Sequence, residues 1–129
     1  MTHRLHLRVY YEDTDLAGIV YYANYLKFIE RGRSEFVRDL GIDQRRMKAE
    51  QGVVFAVRRV EADYLKPALF EDELIVETEV TGVTPARMEM AQRVLRGVDL
   101  LFQAKVTLVA IGAQGAPVRL PADIRRLIV

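Results

Sequence analysis

Asp13 and Asp15 flank Thr14, and Gly18 follows three residues later, just before a long segment with helical apolar spacing. Glycine permits a sharp bend, so this stretch can swing a carboxylate back towards the first backbone amides of the coming helix. Those amides have no intrahelical acceptor and carry the positive end of the helix dipole. A carbonyl oxygen placed against them is polarised while a nearby carboxylate attacks its carbon or activates a water. The same residue types also cap turns ahead of helices, which is their commoner use, and spacing alone leaves both meanings open.

Other chemistries find less support. There is no cysteine, and the two histidines, His3 and His6, lie at the very start of the chain. That leaves no thiol nucleophile, no H-x-x-x-H zinc pair and no histidine close to the Asp turn. Neither the nucleophile-elbow pattern G-x-S-x-G nor the phosphate loop G-x-x-x-x-G-K-[ST] occurs. Glu30 and Glu35 plot on the polar side of the helix, away from the Asp turn, and read as solvated helix charges. No metal or organic cofactor is called for.

The elements that must position Asp15 follow from periodicity. Leu5, Leu7 and Val9 alternate with His6, Arg8 and Tyr10 as in a half-buried strand. From Asn24, the residues Tyr25, Phe28, Ile29, Phe36 and Leu40 recur at three- and four-residue steps, with Gly32 on the same line and Gly41 as the stop. The apolar arc from Phe28 round to Val37 spans about half the helix circumference, which calls for a wrapping sheet. Arg33 lies inside that arc, so it either meets a buried carboxylate, the expected outcome, or snorkels. Asp43 to Gln51 reads as a charged connecting loop with at most a short helical turn. Val53 to Tyr64 reads as a long strand ended by Lys66-Pro67. A third strand alternates Leu74, Val76, Thr78 and Val80 with acidic partners, and Gly82 to Pro85 reads as a turn. Two further strands, near 87–96 and 100–111, flank Gly97-Val98-Asp99, and Leu120-Pro121-Ala122-Asp123 opens a short closing helix. One helix followed by long strands with short connections gives an α+β fold, an antiparallel five-stranded sheet wrapped around one long central helix.

The 129 residues suit a single domain, residues 1–129, with a core that needs no staples. A formal net charge of +1 with scattered basic residues gives no nucleic-acid signature. No apolar run approaches a membrane span or a signal peptide, so a cytoplasmic protein is expected.

The stretch Tyr10 to Tyr25, YYEDTDLAGIVYYANY, resembles the signature of the 4-hydroxybenzoyl-CoA thioesterase family of hotdog-fold proteins, in particular its Tol-Pal-associated, YbgC-like acyl-CoA thioesterases. FIERGRSEF, FAVRRVEADYLKPALFEDEL and LPADI extend the similarity over nearly the whole chain. The resemblance implies an acyl-CoA thioesterase in which Asp15 is the catalytic carboxylate and the backbone amide of Tyr22 polarises the thioester carbonyl. Many relatives have histidine where this chain has Tyr22, so any imidazole role is not transferred. Tyr11 matches a tyrosine of the relatives and is a candidate to orient Asp15 or a water, with ordinary packing as the alternative. The resemblance also implies a homo-oligomer, a dimer or a dimer of dimers (homotetramer), with active sites at the subunit boundary. For a CoA substrate, Arg58, Arg59, Lys66 and Arg87 are candidates to meet the phosphates; each reads equally well as a surface charge. An acyl-carrier-protein thioester is the alternative donor. Two rival readings are a hotdog dehydratase, disfavoured by the lack of a histidine near the Asp turn, and a non-catalytic acyl-binding or scaffold protein of the cell-envelope machinery.

Overall fold

The computed structural model describes residues 1–128. The order of elements is β1 (His3–Arg8), a 3₁₀ turn at Tyr11–Asp13, α1 (Asn24–Asp39), α2 (Gln44–Gln51), β2 (Val54–Tyr64), β3 (Glu73–Val83), β4 (Arg87–Arg96), β5 (Asp99–Ile111), β6 (Pro117–Val118) and α3 (Ala122–Ile128). The long strands form one antiparallel sheet in the order β1-β3-β4-β5-β2, and the two-residue β6 pairs with the end of β5. Helix α1 packs across β3, β1 and β4. The expected sheet around a helix is therefore present, with β6 added.

The inner face follows the period of two. Leu74, Val76, Met88, Met90, Val94, Phe102 and Val106 meet the buried stripe Tyr25, Phe28, Ile29, Phe36 and Val37 of α1. Gly32 sets how closely the helix approaches. A Cβ there would lie 2.6 Å from Val76 Cγ1 and 3.1 Å from Thr78 Oγ1, closer than packed atoms stand.

Three expectations need correction. Arg33 has no carboxylate partner among the described residues: its guanidinium donates to Gln92 Oε1 at 3.0 Å, and Gln92 Nε2 donates to the Ile29 carbonyl and to Thr78 Oγ1, both at 2.8 Å. Gln92 and Thr78 are fully buried, so an amide satisfies helix and sheet together without a second buried charge. Burial holds the Arg33 pKa below its ordinary value, and the Glu30 charge acts in the opposite direction. Residues 44–51 form a full helix, since Asp43 Oδ1 caps the Arg46 amide at 3.0 Å and Gly52 closes it with φ +67°. Gly82 lies inside β3 at a register shift, and the turn falls at 84–86, where Thr84 Oγ1 accepts the Ala86 and Arg87 amides. The outer sheet face is charged, in keeping with the acidic residues that alternate along the third strand: Arg93 meets Glu77 at 3.0 Å and Glu79 at 3.3 Å, and Arg4 meets Glu77 at 3.0 Å.

Uncovered apolar surface lies at the sheet edge. Strand β2 has β5 on one side and, among the described residues, no neighbouring strand on the other. Val57, Val60 and Tyr64 on it are 47, 38 and 47% exposed.

Candidate active site

The Asp turn is bound to the helix start through its main chain. The Asp13 carbonyl accepts from the Tyr21 amide and from Asn24 Nδ2, each at 2.9 Å. The Asp13 carboxylate accepts the Tyr10 amide at 2.8 Å, and Thr14 Oγ1 donates to the Tyr11 carbonyl at 2.8 Å. Both side chains thus serve the turn, as capping predicts.

Asp15 differs. Its Oδ1 accepts the Ala17 amide at 2.9 Å, and it has no ion-pair partner among the described residues. The chain reverses directly after it. The Asp15 amide donates to the Ile19 carbonyl at 3.0 Å, the Gly18 amide returns to the Asp15 carbonyl at 2.9 Å, and Gly18 has φ +80°, where a side chain would be strained. An exposed carboxylate with one hydrogen bond and no neutralising cation keeps its lone pairs for a substrate or a water.

Tyr22 stands just ahead of α1. The Tyr21 carbonyl accepts the Asn24 amide at 2.8 Å. The Tyr22 N–H belongs to that same trans peptide, so it points the opposite way, out from the helix end. It donates to no group among the described residues. Tyr22 also lines a cavity of about 290 Å³, together with Ile19, Val20, Tyr25 and the segment Tyr64 to Pro67 at the end of β2. Tyr25 stacks on Phe102 with centroids 5.0 Å apart, and Tyr64 stands edge-on to both rings. Burial raises the pKa of Tyr25 and of Tyr64; at Tyr64, the neighbouring Tyr22 and Tyr25 add to the rise. Both phenols are therefore neutral at physiological pH. Asp15 does not line this cavity in the protomer but pairs with Ile19, which does.

The remaining sequence candidates separate into two groups. Lys66 lines the cavity mouth, its ammonium 3.6 Å from Asp99. Arg59 is paired with Glu61 at 2.6 Å, and Arg58 is the extra residue where the β2 register shifts. Arg87 lies opposite Val109 on β5, whereas Tyr64 lies opposite Phe102. The two positions are roughly 23 Å apart along the strand, so one protomer does not bring Arg87 to the cavity. Tyr11 is 81% exposed, with its ring against Phe70 and its hydroxyl bonded to no described residue. The one histidine–carboxylate pair among the described residues, His3 with Asp39, lies at the opposite end of α1.

Sequence reasoning missed Tyr64, Asn24 and the aromatic floor. Asn24 had a signal, since asparagine favours helix starts, but here its amide donates to a carbonyl across the turn. Tyr64 had only an aromatic ring at a strand end.

The sheet, the helix and the carboxylate turn define a hotdog-type thioesterase architecture. The model of the thioesterase-like superfamily matches residues 9–128, and the chain belongs to that family. It is 41% identical over 121 residues to the acyl-CoA thioesterase YbgC of Haemophilus influenzae, covering 92% of this chain and 88% of that one. A crystal structure of a probable thioesterase from Bartonella henselae is 40% identical, with a TM-score of 0.90, covering 94% of this chain and 100% of that one. A mutant 4-hydroxybenzoyl-CoA thioesterase complexed with 4-hydroxybenzoyl-CoA shares the fold, with a TM-score of 0.91 at 22% identity over 99% of each chain.

Proposed function

We propose that the protein is an acyl-CoA thioesterase, hydrolysing a thioester to a carboxylic acid and free CoA. The observation that carries this reading is that Tyr22, whose amide has no acceptor among the described residues, lines an apolar cavity at the helix end with the unneutralised Asp15 on the adjoining turn. Similarity to a protein named acyl-CoA thioesterase supports it. The acyl group occupies the aromatic cavity, and its carbonyl oxygen takes the Tyr22 N–H. Asp15 either attacks the carbonyl carbon, giving a mixed anhydride that water opens, or removes a proton from the attacking water. Both routes use the ionised carboxylate. On the first route the C–S bond breaks as the anhydride forms, before water opens it; on the second it breaks when the tetrahedral intermediate made by water collapses, and on both the departing thiolate is protonated.

Lys66, which lines the cavity, meets a CoA phosphate in this reading. Arg58, Arg59 and Arg87 serve that purpose only if a second subunit presents them. Tyr11 is the third candidate at the site, acting on a water beside Asp15. The functional unit in this reading is a dimer joined along β2, or two such dimers, in the cytoplasm. The open apolar edge and the absence of cysteine fit that unit and that compartment. An acyl-carrier-protein thioester offers the same carbonyl and is the alternative donor.

The test is thiol release from a panel of acyl-CoAs of different length and aromaticity. Free CoA from at least one member, at a rate that saturates with substrate, is the expected result. Tight binding of acyl-CoA without release would identify an acyl-binding scaffold instead.

A further inference from the structure

The Tyr22 amide is useful only if it is held still. The Tyr21–Tyr22 peptide is fixed by the Asn24 amide on the Tyr21 carbonyl at 2.8 Å. The next peptide, Tyr22–Ala23, has no such anchor within the helix, because the first ladder bond, from the Leu26 amide, reaches only the Ala23 carbonyl. Its carbonyl is instead taken by a side chain from the far end of β2: the Tyr64 hydroxyl donates to the Tyr22 carbonyl at 3.0 Å. The Tyr64 ring is itself held edge-on against Tyr22 at 6.1 Å, Tyr25 at 5.5 Å and Phe102 at 5.0 Å.

We infer that Tyr64 is a positioning residue for hydrolysis, fixing the Tyr22–Ala23 peptide so that the Tyr22 N–H stays aimed at the substrate carbonyl. This inference rests on the thioesterase reading above. With both flanking peptides pinned, the torsions at Tyr22 are set from each side, and the amide does not have to be reoriented when the oxyanion forms. Preorganised donors of this kind act on the transition state more than on the bound substrate. The effect of Tyr64 therefore belongs in kcat. A ring that only shaped the acyl cavity would instead act through KM. Tyr64 also connects the site to β2, the strand whose outer side is open.

Tyr64→Phe retains the ring and its aromatic contacts and removes only the hydroxyl. The expected result is a loss of about tenfold in kcat, the size of one hydrogen bond, with KM changed less than about twofold and the melting temperature nearly unchanged. Tyr64→Leu, which also removes the ring, raises KM in addition. The route is tested by combining Tyr64→Phe with Tyr22→Pro: where the amide is absent, loss of the hydroxyl has no further effect on kcat. Unchanged kcat in Tyr64→Phe, a change confined to KM, or two losses that multiply in the double variant would each overturn the inference. A folded Tyr22→Pro with ordinary turnover would instead remove the amide reading on which it depends. If Tyr22→Pro does not fold, the kcat and KM split of Tyr64→Phe decides alone.

Discussion

Asp13 and Asp15 have the same chemistry two residues apart, and their surroundings separate them. Asp13 is engaged through its carboxylate and its carbonyl in holding the turn, whereas Asp15 accepts one amide and faces outward. Asp15→Asn keeps the shape but can neither attack nor take a proton. It should lower turnover by several orders of magnitude at nearly unchanged stability. Asp13→Asn keeps an oxygen for the Tyr10 amide and should lose much less activity. Purified, folded Asp15→Asn with near wild-type turnover would refute the mechanism. Tyr22 separates side chain from backbone: Tyr22→Phe retains the N–H and most activity, and Tyr22→Pro, lacking the donor, should fall roughly 100- to 1000-fold. Circular dichroism at matched concentration establishes that each variant is folded before rates are compared. The turn that presents Asp15 was legible in the sequence, because the residues that hold it are its sequence neighbours. Tyr64 was not, because its bond to Tyr22 spans 42 positions and no local period encodes it.

At the scale of elements, periodicity located α1, β1 and β3, whose two faces differ in burial, whereas β2 was read from its Val and Phe content and is exposed along most of its length. It failed where local side chains override a charged composition: Asp43 and Gly52 cap a helix that lacks an apolar stripe. It also misjudged Arg33, because an apolar arc shows that a charge is buried without showing what answers it. The answer is Gln92, from β4. Gly32 lies in the same layer. Gly32→Ala should destabilise by about 1–3 kcal/mol, as overpacking typically does, since helix and sheet must part to admit a methyl beside Val76. Denaturant unfolding measures this, and an unchanged midpoint would show that the layer has slack. On the outer face, the Arg93 hydrogen bond holds the Glu77 carboxyl below its ordinary pKa, with Arg4 adding to the effect. A lowered folded-state pKa contributes stability that is present above the unfolded value, about 4.3 for glutamate. That stability is lost as pH falls through the lowered value. Glu77→Gln should therefore be less stable than wild type at pH 7, with the gap closing under acid. A gap independent of pH from 7 to 3 would show that the carboxylate charge is not what stabilises.

At the scale of the whole molecule, the protomer has two kinds of uncovered surface, and their chemistry differs. The edge of β2 offers unpaired backbone groups along 11 residues together with exposed Val57, Val60 and Tyr64, a combination that an isolated protein rarely leaves open. Antiparallel pairing of this edge with a second copy would satisfy those groups and shield the Tyr64 side of the cavity. The outer sheet face, with Glu77, Glu79 and Arg93, is charged and already internally paired. Any further association through it depends on polar contacts that salt screens. The expected behaviour is a species of at least twice the 14.8 kDa chain mass at micromolar concentration. Assembly beyond the dimer should be reduced by raised salt, while the dimer persists. Sedimentation velocity across a salt series resolves the two steps, with turnover measured on the same samples. A 14.8 kDa species that hydrolyses the thioester at full rate would refute the edge-paired dimer as the active unit. A dimer that dissociates with salt would place the interface on the charged face instead of the β2 edge.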